Sequence, residues 1–362
     1  MKRLIALFVL LCLVLCACGN NTPAETTGTT AAETTAEPTV EATTQETDPP
    51  GMYRNPLNGE ILNAPYTGTP VAVLINNLDA CLPQYGINEA DFYYEIETEG
   101  GITRCLAIFS DISQAESVGP VRSVRTFFNS VAASYGAPIV HCGGSDRGIN
   151  GGYEDSDKKI PDWQHVNEQL KGYYFFRNED RYNYQGYNWE HTLFAKGEKL
   201  AQAMKDQGYT KTTSVDFGIA FEDVVALEGE TANTVTITFR GGKTTKMTYD
   251  AATGLYTMHQ YGDTTIDALT NETTTFKNVI SLATDQWNVR DTGYSRSYYE
   301  LTETEGVGTL AIDGQIVPIK WARDGLTDSF TYTLEDGTPV TLAAGRTYVA
   351  IVGDTDTPAV YE

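Results

Sequence analysis

Three arginines stand out in a chain that is otherwise strongly acidic. The sequence holds 25 basic and 48 acidic residues, a formal net charge of −23, yet Arg104, Arg122 and Arg125 lie within a short stretch. Arg122 and Arg125 follow a Gly-Pro pair and flank the predicted start of a helix, whose unpaired N–H groups and positive dipole end suit an anion. Two guanidinium groups there could hold a phosphate or carboxylate through paired hydrogen bonds, with Arg104 joining them.

Three glutamates offer a second kind of chemistry. Glu95, Glu97 and Glu99 alternate along a predicted strand, which predicts that all three carboxylates point to one face. Such a row could bind a divalent cation or supply the acid and base of glycoside hydrolysis. A solvated face, or internal pairing of these carboxylates and Asp91 with the arginines, is the simpler alternative. Glu95 is retained as a candidate ligand-binding residue.

A Gly-rich run supplies a third candidate. His141-Cys142-Gly143-Gly144-Ser145 follows an apolar strand, in a place where α/β folds often bind ligands. Adjacent His and Cys side chains point to opposite faces of a strand, which argues against a catalytic pair. The run also lacks the Lys-Ser/Thr ending of a phosphate-binding P-loop. We therefore predict that His141 and Ser145 line a pocket, and we predict no catalytic residue.

Aromatic residues are concentrated over residues 173–189, together with asparagines. Tyr, Asn and Trp in this density suit stacking on sugar rings, although such residues more often cover a core. No Cys or His spacing typical of a structural zinc site is present. The sequence predicts neither a metal site nor a cofactor.

The elements that must position these residues fall into two halves, an α+β class overall. Residues 51–212 are predicted to form a mixed α/β N-terminal domain, and residues 213–362 a β-rich C-terminal domain. In the first half, strands are predicted at 71–76, 91–97, 104–109, 138–141 and 173–177, and helices at 123–135 and 197–207. In the second half, residues 234–239 and 329–334 alternate strictly. One helical interruption is predicted around 283–289.

The first residues indicate export. Lys2 and Arg3 precede an apolar run over 4–15, which is too short to span a bilayer and is typical of a signal peptide. It ends in Leu15-Cys16-Ala17-Cys18-Gly19, which resembles a bacterial lipobox. We predict a signal peptide over 1–17, lipidation of Cys18 and a disordered Thr-, Glu- and Pro-rich tether over 18–50. The alternatives are an ordinary cleavage near Ala17 or an uncleaved anchor.

Compartment and composition then restrict the partners. Acylated Cys18 makes the lipid bilayer a partner and places the protein on the cell membrane, facing outside the cytoplasm. The acidic surface repels nucleic acid, so no nucleic-acid partner is predicted. Three further cysteines, Cys81, Cys105 and Cys142, allow either one disulfide with a free thiol or three free thiols. Cys105 lies in an alternating run and is expected to be a buried structural residue.

Several motifs, taken in order, are similar to those of one known family. They are Asn76-Asn77, Pro83-Gln84, Ala90-Asp91, Tyr94-Glu95, Glu99-Gly100-Gly101-Ile102-Thr103-Arg104, Val118-Gly119-Pro120-Val121-Arg122-Ser123-Val124-Arg125 and, near the end, Trp321, Asp336-Gly337 and Leu342-Ala343-Ala344-Gly345-Arg346-Thr347-Tyr348. Together they resemble the YerB-like lipoprotein family, which couples a lipobox to an N-terminal domain of unknown function and a smaller C-terminal domain. The resemblance implies a location and an architecture but no reaction.

The chain departs from the family pattern at two places. Leu82 stands where members commonly have Arg before the Pro-Gln pair. Trp189-Glu190-His191-Thr192 replaces a Pro-His-Asn segment.

Two classes of function remain open. The first is a non-enzymatic surface lipoprotein that binds a cell-wall glycan, a pyrophosphate-bearing ligand or another envelope protein. Its predicted working surface joins Arg104, Arg122, Arg125, Glu95 and the 141–145 loop. The second is an envelope enzyme acting on phosphate-linked or glycosidic cell-wall substrates, by analogy to arginine-rich cell-wall polymer transferases. We favour the first because the sequence offers no nucleophile and no paired acid and base.

Overall fold

Strands from both halves of the chain join in one large mixed sheet. A computed structural model describes residues 51–154, 158–209, 217–291, 293–353 and 358–362. The predicted signal peptide, Cys18, the tether and the predicted domain boundary near residue 212 lie outside the described residues. The described residues belong to one compact unit, Asp48–Glu362.

The first half of the chain supplies nine strands and five helices within its described part. The strands are β1 Tyr53–Arg54, β2 Ile61–Leu62, β3 Val71–Asn76, β4 Phe92–Glu97, β5 Thr103–Phe109, β6 Ile139–His141, β7 His165–Asn167, β8 Phe175–Arg177 and β9 Leu193–Ala195. The helices are α1 Thr126–Ser134, α2 Asp146–Ile149, α3 Glu168–Lys171, α4 Glu179–Asn183 and α5 Gly197–Asp206. Short 3-10 turns lie at Asp79–Cys81, Ile87–Glu89, Glu99–Gly101, Ile112–Gln114, Gly172–Tyr174 and Trp189–His191.

The described part of the second half is built of strands. They are β10 Ala220–Glu222, β11 Glu230–Thr231, β12 Thr234–Thr238, β13 Thr244–Asp250, β14 Leu255–Gln260, β15 Asp263–Thr264, β16 Thr275–Phe276, β17 Asn278–Ala283, β18 Gln286–Asp291, β19 Tyr294–Tyr299, β20 Thr304–Ile312, β21 Gln315–Arg323, β22 Thr331–Thr333, β23 Thr341–Ala343, β24 Thr347–Val352 and β25 Val360–Tyr361.

The large sheet has the order β11-β21-β20-β17-β24-β4-β5-β3-β6-β7, and β22 also pairs with β21. The two halves meet where β24 pairs in parallel with β4, from Thr347 opposite Phe92 to Ile351 opposite Ile96. The pairing directions place the carboxyl ends of β3, β4, β6 and β7 at one edge, with the start of antiparallel β5 between them. Edges of this kind are where open α/β sheets commonly bind ligands.

Each face of this sheet is covered by a separate apolar cluster, because side chains alternate along every strand. On one face, Tyr93, Cys105 and Ala107 pack with residues of α5 and of the second sheet, β15-β14-β13-β12-β25. On the other face, Tyr94 and Leu106 pack with α1 and with residues of β20 and β21. The described part of the chain is therefore strand-rich, of α+β type, with its core on both sides of one sheet.

Most of the predicted elements are present, with two corrections. The predicted helix around 283–289 is wrong: these residues complete β17 and form β18, which pairs with β19 from Gln286–Tyr299 to Asp291–Tyr294. Residues 172–174 form a 3-10 turn, so only Phe175–Arg177 of the predicted strand 173–177 is a strand. Within the described ranges, no helix has the length and apolar character needed to cross a membrane.

Candidate functional site

Arg104 is buried beside the carboxyl edge of the large sheet and makes no ion pair with a described residue. It stands at the start of β5, opposite Asn76 at the end of β3, and is only 6% exposed. Its Nη1 donates to the Ser123 carbonyl at 2.8 Å, and in the described part of the chain it forms no ion pair. Burial, and then the nearby Arg125, hold the pKa of Arg104 well below its usual range.

Glu99 is shared between two other arginines. Nε of Arg125 donates to Oε2 of Glu99 at 2.9 Å, and Nη2 of Arg125 donates to Oε1. Arg296, which lies on β19, donates through Nη1 to the same Oε1. Burial opposes ionisation of Glu99, but the hydrogen bonds and charge of Arg125 lower its pKa to about 2. Internal pairing, left open from the sequence, therefore holds for Arg125.

Arg122 lies at the more exposed side of the site. Its Nη2 donates to Oε2 of Glu190 at 3.0 Å, and its Nη1 to the Glu190 carbonyl at 3.3 Å. Next along the chain, buried His191 accepts at Nδ1 from Nδ2 of Asn76, 2.8 Å away. Since an amide nitrogen can only donate, the ring proton of neutral His191 is on Nε2, 3.8 Å from Oε1 of Glu190.

We call Arg104, Arg122, Arg125 and Arg296 the arginine cluster. Arg122, Arg125 and Arg296 all contribute to the electrostatic environment of Arg104. Glu99 and Glu190 are the carboxylates that pair with the cluster in the described residues, so four cations face two anions. The Nε atoms of Arg122 and Arg296 are buried without a hydrogen-bond partner among the described residues. Buried donors normally have partners, so the cluster retains capacity for additional acceptor oxygens.

Two glycines bring Glu99 to the cluster. β4 ends in the Glu99–Gly101 turn, where Gly100 (φ +81°) and Gly101 (φ +71°) adopt the left-handed conformation that glycine tolerates best. Gly101 packs against Gly241, at which an added Cβ would lie 2.2 Å from the Cα of Gly101. The backbone N–H of Gly241 also donates to Oε2 of Glu97. The turn is therefore fixed by contacts with the second half of the chain.

The segment that carries Arg122 and Arg125 is held at the sheet edge by main-chain hydrogen bonds. The N–H of Arg122 donates to the Leu74 carbonyl at 3.0 Å, and the N–H of Val124 to the Gly143 carbonyl at 3.1 Å. Helix α1 then begins at Thr126, with Arg125 as the N-cap residue. Ser123, where the helix was predicted to begin, instead donates its hydroxyl to the Cys142 carbonyl at 3.0 Å.

The structure places the 141–145 loop beside this segment but gives its side chains internal partners. Nδ1 of His141 donates to the Gly143 carbonyl at 2.8 Å, so Nε2 accepts from Nδ1 of His165 at 3.0 Å. His141, Trp163 and His165 form a stack, with centroids 4.0 Å apart for the last two. Burial lowers the pKa of His141 to about 4. Ser145 is the N-cap of α2 and accepts from Gly148 at 3.2 Å.

Glu95 lies on the opposite face of the sheet from Arg104. It is fully buried and accepts hydrogen bonds from Thr103, Thr245, Tyr348, Asn77 and Lys243. Burial by itself would raise the pKa of Glu95, but Lys243 and the hydroxyl donors hold it below its usual range. The prediction of three carboxylates on one face is wrong for Glu99, because the 3-10 turn directs it to Arg125 instead.

The environments of the three described cysteines indicate structural and not catalytic residues. Cys81, Cys105 and Cys142 are free thiols, and Cys105 is fully buried, as expected from its strand pattern. Burial and then Glu168 raise the pKa of the Cys142 thiol to about 11, which disfavours a nucleophilic thiolate. Within the described residues, no group of three or more His, Cys, Asp or Glu side chains is arranged to hold a metal ion.

Sequence reasoning missed three residues of this site. Arg296 contacts Glu99 across 197 positions of the chain, a separation for which one sequence gives no signal. Glu190 and His191 lie in the segment 189–192, which departs from the pattern of the resembled family. The adjacent Glu and His after Trp189 were the local signal that could have indicated a site there.

Comparison with known proteins gives consistent results along the chain. Residues 57–210 match the N-terminal domain of a protein of unknown function, DUF3048, and residues 235–349 match the DUF3048 C-terminal domain. The chain is 25% identical over 315 residues to "Putative lipoprotein YerB" of Bacillus subtilis (strain 168), covering 83% of this chain and 88% of that protein.

A solved structure agrees with the sequence matches. The crystal structure of the YerB protein from Bacillus subtilis matches with a TM-score of 0.70 and 25% identity, over 85% of this chain and 99% of that chain. Sequence and fold thus agree over both matched domains, and the chain belongs to the YerB-like DUF3048 family.

Proposed function

We propose that this protein is a membrane-anchored extracytoplasmic lipoprotein that binds an anionic ligand of the cell envelope at the arginine cluster. Lipid attachment at Cys18 and a tether over 18–50 would hold the folded part outside the membrane. In this proposal a mixed α/β N-terminal domain carries most of the binding residues. The β-rich C-terminal domain contacts the turn that carries Glu99 and contributes Arg296 to the cluster.

One observation carries the binding proposal: Arg104 is buried and charged without a carboxylate partner among the described residues. A buried cation is costly unless it is paired. An unpaired cation beside three further arginines therefore lowers the stability of the unliganded protein. A bound phosphate or carboxylate would supply that missing charge and accept from the guanidinium groups in the geometry that arginine favours.

The test is calorimetric titration of inorganic pyrophosphate into the full chain, purified in detergent. We expect saturable binding, and pyrophosphate at 100 times its dissociation constant should stabilise the protein by about 2.7 kcal/mol. Arg104→Gln keeps one donor for the Ser123 carbonyl but removes the charge. It should weaken binding at least tenfold without lowering the stability of the unliganded protein.

Lys320→Gln is the matched control, because it removes one positive charge from an exposed position on β21. That strand lies five positions from β5 in the large sheet, about 24 Å away. Pyrophosphate affinity should be unchanged in this variant. Absence of binding to the parent chain, or equal weakening by both substitutions, would contradict a specific anion site.

A further inference from the structure

Exposed aromatic side chains concentrate in residues 173–189, the segment that directly precedes Glu190. Five large side chains of residues 173–189 remain exposed to solvent: Tyr173, Phe176, Tyr182, Tyr184 and Trp189. Trp189 is 48% exposed and Tyr184 82%. Concentrated exposed apolar surface of this kind marks interaction sites on soluble proteins.

The position of this segment is fixed, because two of its other residues bind backbone carbonyls of residues 81–83. Arg181 is 1% exposed and donates to the carbonyls of Pro83 and Cys81 at 3.0 and 2.8 Å. Its guanidinium lies 3.8 Å from the ring centroid of Tyr187, whose hydroxyl donates to the Leu82 carbonyl at 2.7 Å. With Arg181 buried and Tyr187 half-buried, these contacts fix the segment while the neighbouring aromatic rings stay exposed.

Trp189 is also fixed locally. Tyr182 meets its ring nearly at right angles, with centroids 5.4 Å apart. Arg177 lies 5.0 Å from the ring centroid and donates to the Trp189 carbonyl at 2.9 Å. A rigid aromatic side chain loses little conformational entropy when a ligand binds, which is why Tyr and Trp are favoured at binding surfaces.

The aromatic patch and the arginine cluster are joined through one peptide. Arg177 binds the carbonyl of Trp189, and Arg122 binds the carbonyl and carboxylate of Glu190, the next residue. The residue that carries the exposed indole ring and the residue that binds Arg122 are therefore consecutive in the chain, with Cα atoms about 3.8 Å apart.

We propose that the ligand is a sugar phosphate, with its phosphate at the arginine cluster and its pyranose ring against Trp189. This inference rests on the anion site proposed above. A pyranose presents an apolar C–H face that suits an aromatic ring, while its hydroxyl groups stay in water. The two contacts together distinguish this class from a bare phosphate and from a neutral glycan.

The test compares three probes on the full chain in detergent: inorganic phosphate, N-acetylglucosamine and N-acetylglucosamine 1-phosphate. We expect the sugar phosphate to bind at least tenfold more tightly than phosphate, and the neutral sugar to bind most weakly. Trp189→Ala should remove this tenfold difference and leave phosphate affinity intact, which also shows that the variant is folded. Trp189→Phe should retain most of the difference.

Tyr53→Ala is the control, since Tyr53 is another exposed aromatic residue, on β1. It should leave all three affinities unchanged. Equal affinities for phosphate and sugar phosphate in the parent chain would overturn this inference and leave the anion site standing. A difference that survives Trp189→Ala would overturn it as well. If the sugar phosphate does not bind but pyrophosphate does, this inference is overturned and the anion site stands. If none of the phosphate compounds binds, the proposed function itself fails, even if the neutral sugar binds.

Discussion

At the scale of single residues, Glu99 is what allows the arginines to gather. Without its carboxylate, Arg125 and Arg296 would face each other and Arg104 as unpaired cations. The sequence identified Arg104, Arg122 and Arg125 and named Glu99 among four possible partners. It could not select Glu99, because a carboxylate's direction depends on the turn that carries it. Glu99 is the first residue of the 3-10 turn Glu99–Gly101, so its side chain does not follow the alternation of the strand before it.

The first prediction concerns the pH dependence that Glu99 confers. Its pKa falls from 4.5 to about 2 on folding, so its ionised form stabilises the fold above about pH 4.5. This contribution is lost as the pH falls from 4.5 towards 2. Thermal unfolding should therefore show a smaller loss of melting temperature across this window in Glu99→Gln than in the parent chain. Glu99→Gln should also melt earlier at pH 7, because it leaves two arginines unpaired.

Glu116→Gln is the matched control, since Glu116 is an exposed glutamate in the same half of the chain. Its pH profile should follow that of the parent chain. Equal profiles for Glu99→Gln and the parent would show that the ion pairs of Glu99 contribute nothing to stability.

At the scale of elements, the site is made by turns and loops held on strand ends. Strand β3 was predicted with its correct bounds, because its uninterrupted apolar run is buried along its whole length. The start of α1 was placed three residues early, because the hydroxyl of Ser123 binds the Cys142 carbonyl instead of capping the helix. The contact between Gly101 and Gly241 joins two turns about 140 residues apart, and local patterns carry no information about it.

The second prediction tests this contact between turns. In Gly241→Ala the new Cβ would lie 2.2 Å from the Cα of Gly101, so backbone must move on one side. We expect the free energy of unfolding to fall by about 1–3 kcal/mol, as for overpacked sites. Urea denaturation followed by tryptophan fluorescence measures the change.

Gly172→Ala provides the comparison. Gly172 has φ −53°, and an added Cβ there would meet nothing within 4 Å. Its unfolding curve should overlay that of the parent chain. Should Gly241→Ala prove as stable as Gly172→Ala, the two turns are not in the contact described.

At the scale of the whole molecule, a buried polar network ties the two sheets together. Glu95 on β4 accepts from Tyr348 on β24 and Thr245 on β13, each at 2.7 Å. Lys243, also buried, donates to Glu95 and to Gln260 on β14. Glu95 was predicted to lie at a ligand site. The alternation of a strand does not distinguish a carboxylate that faces a ligand from one that faces a second sheet.

The third prediction is that Lys243→Met strongly destabilises the protein, by about 3–5 kcal/mol. The substitution leaves Glu95 charged, buried and without its cation. Adding Glu95→Gln should recover part of this loss. The free energy of unfolding of the double variant should then fall by less than the sum of the losses in the two single variants. Urea denaturation of the parent, both single variants and the double variant measures the coupling.

Lys246→Met serves as the reference, because Lys246 is exposed on the same strand pair. It should cost less than about 0.5 kcal/mol. Additive effects of Glu95→Gln and Lys243→Met would show that the two charges do not depend on each other.

The pairing of β24 with β4 has a consequence for the newborn chain. Synthesis proceeds from the N-terminus, and β4 is complete at Glu97, whereas its neighbour β24 begins only at Thr347. Strand β5 soon covers one side of β4, but the peptide groups along its other side have no neighbouring strand until some 250 further residues have been made. Unpaired apolar edges promote association between chains. Ribosome stalling before residue 347 should therefore produce nascent chains that require a chaperone to remain soluble.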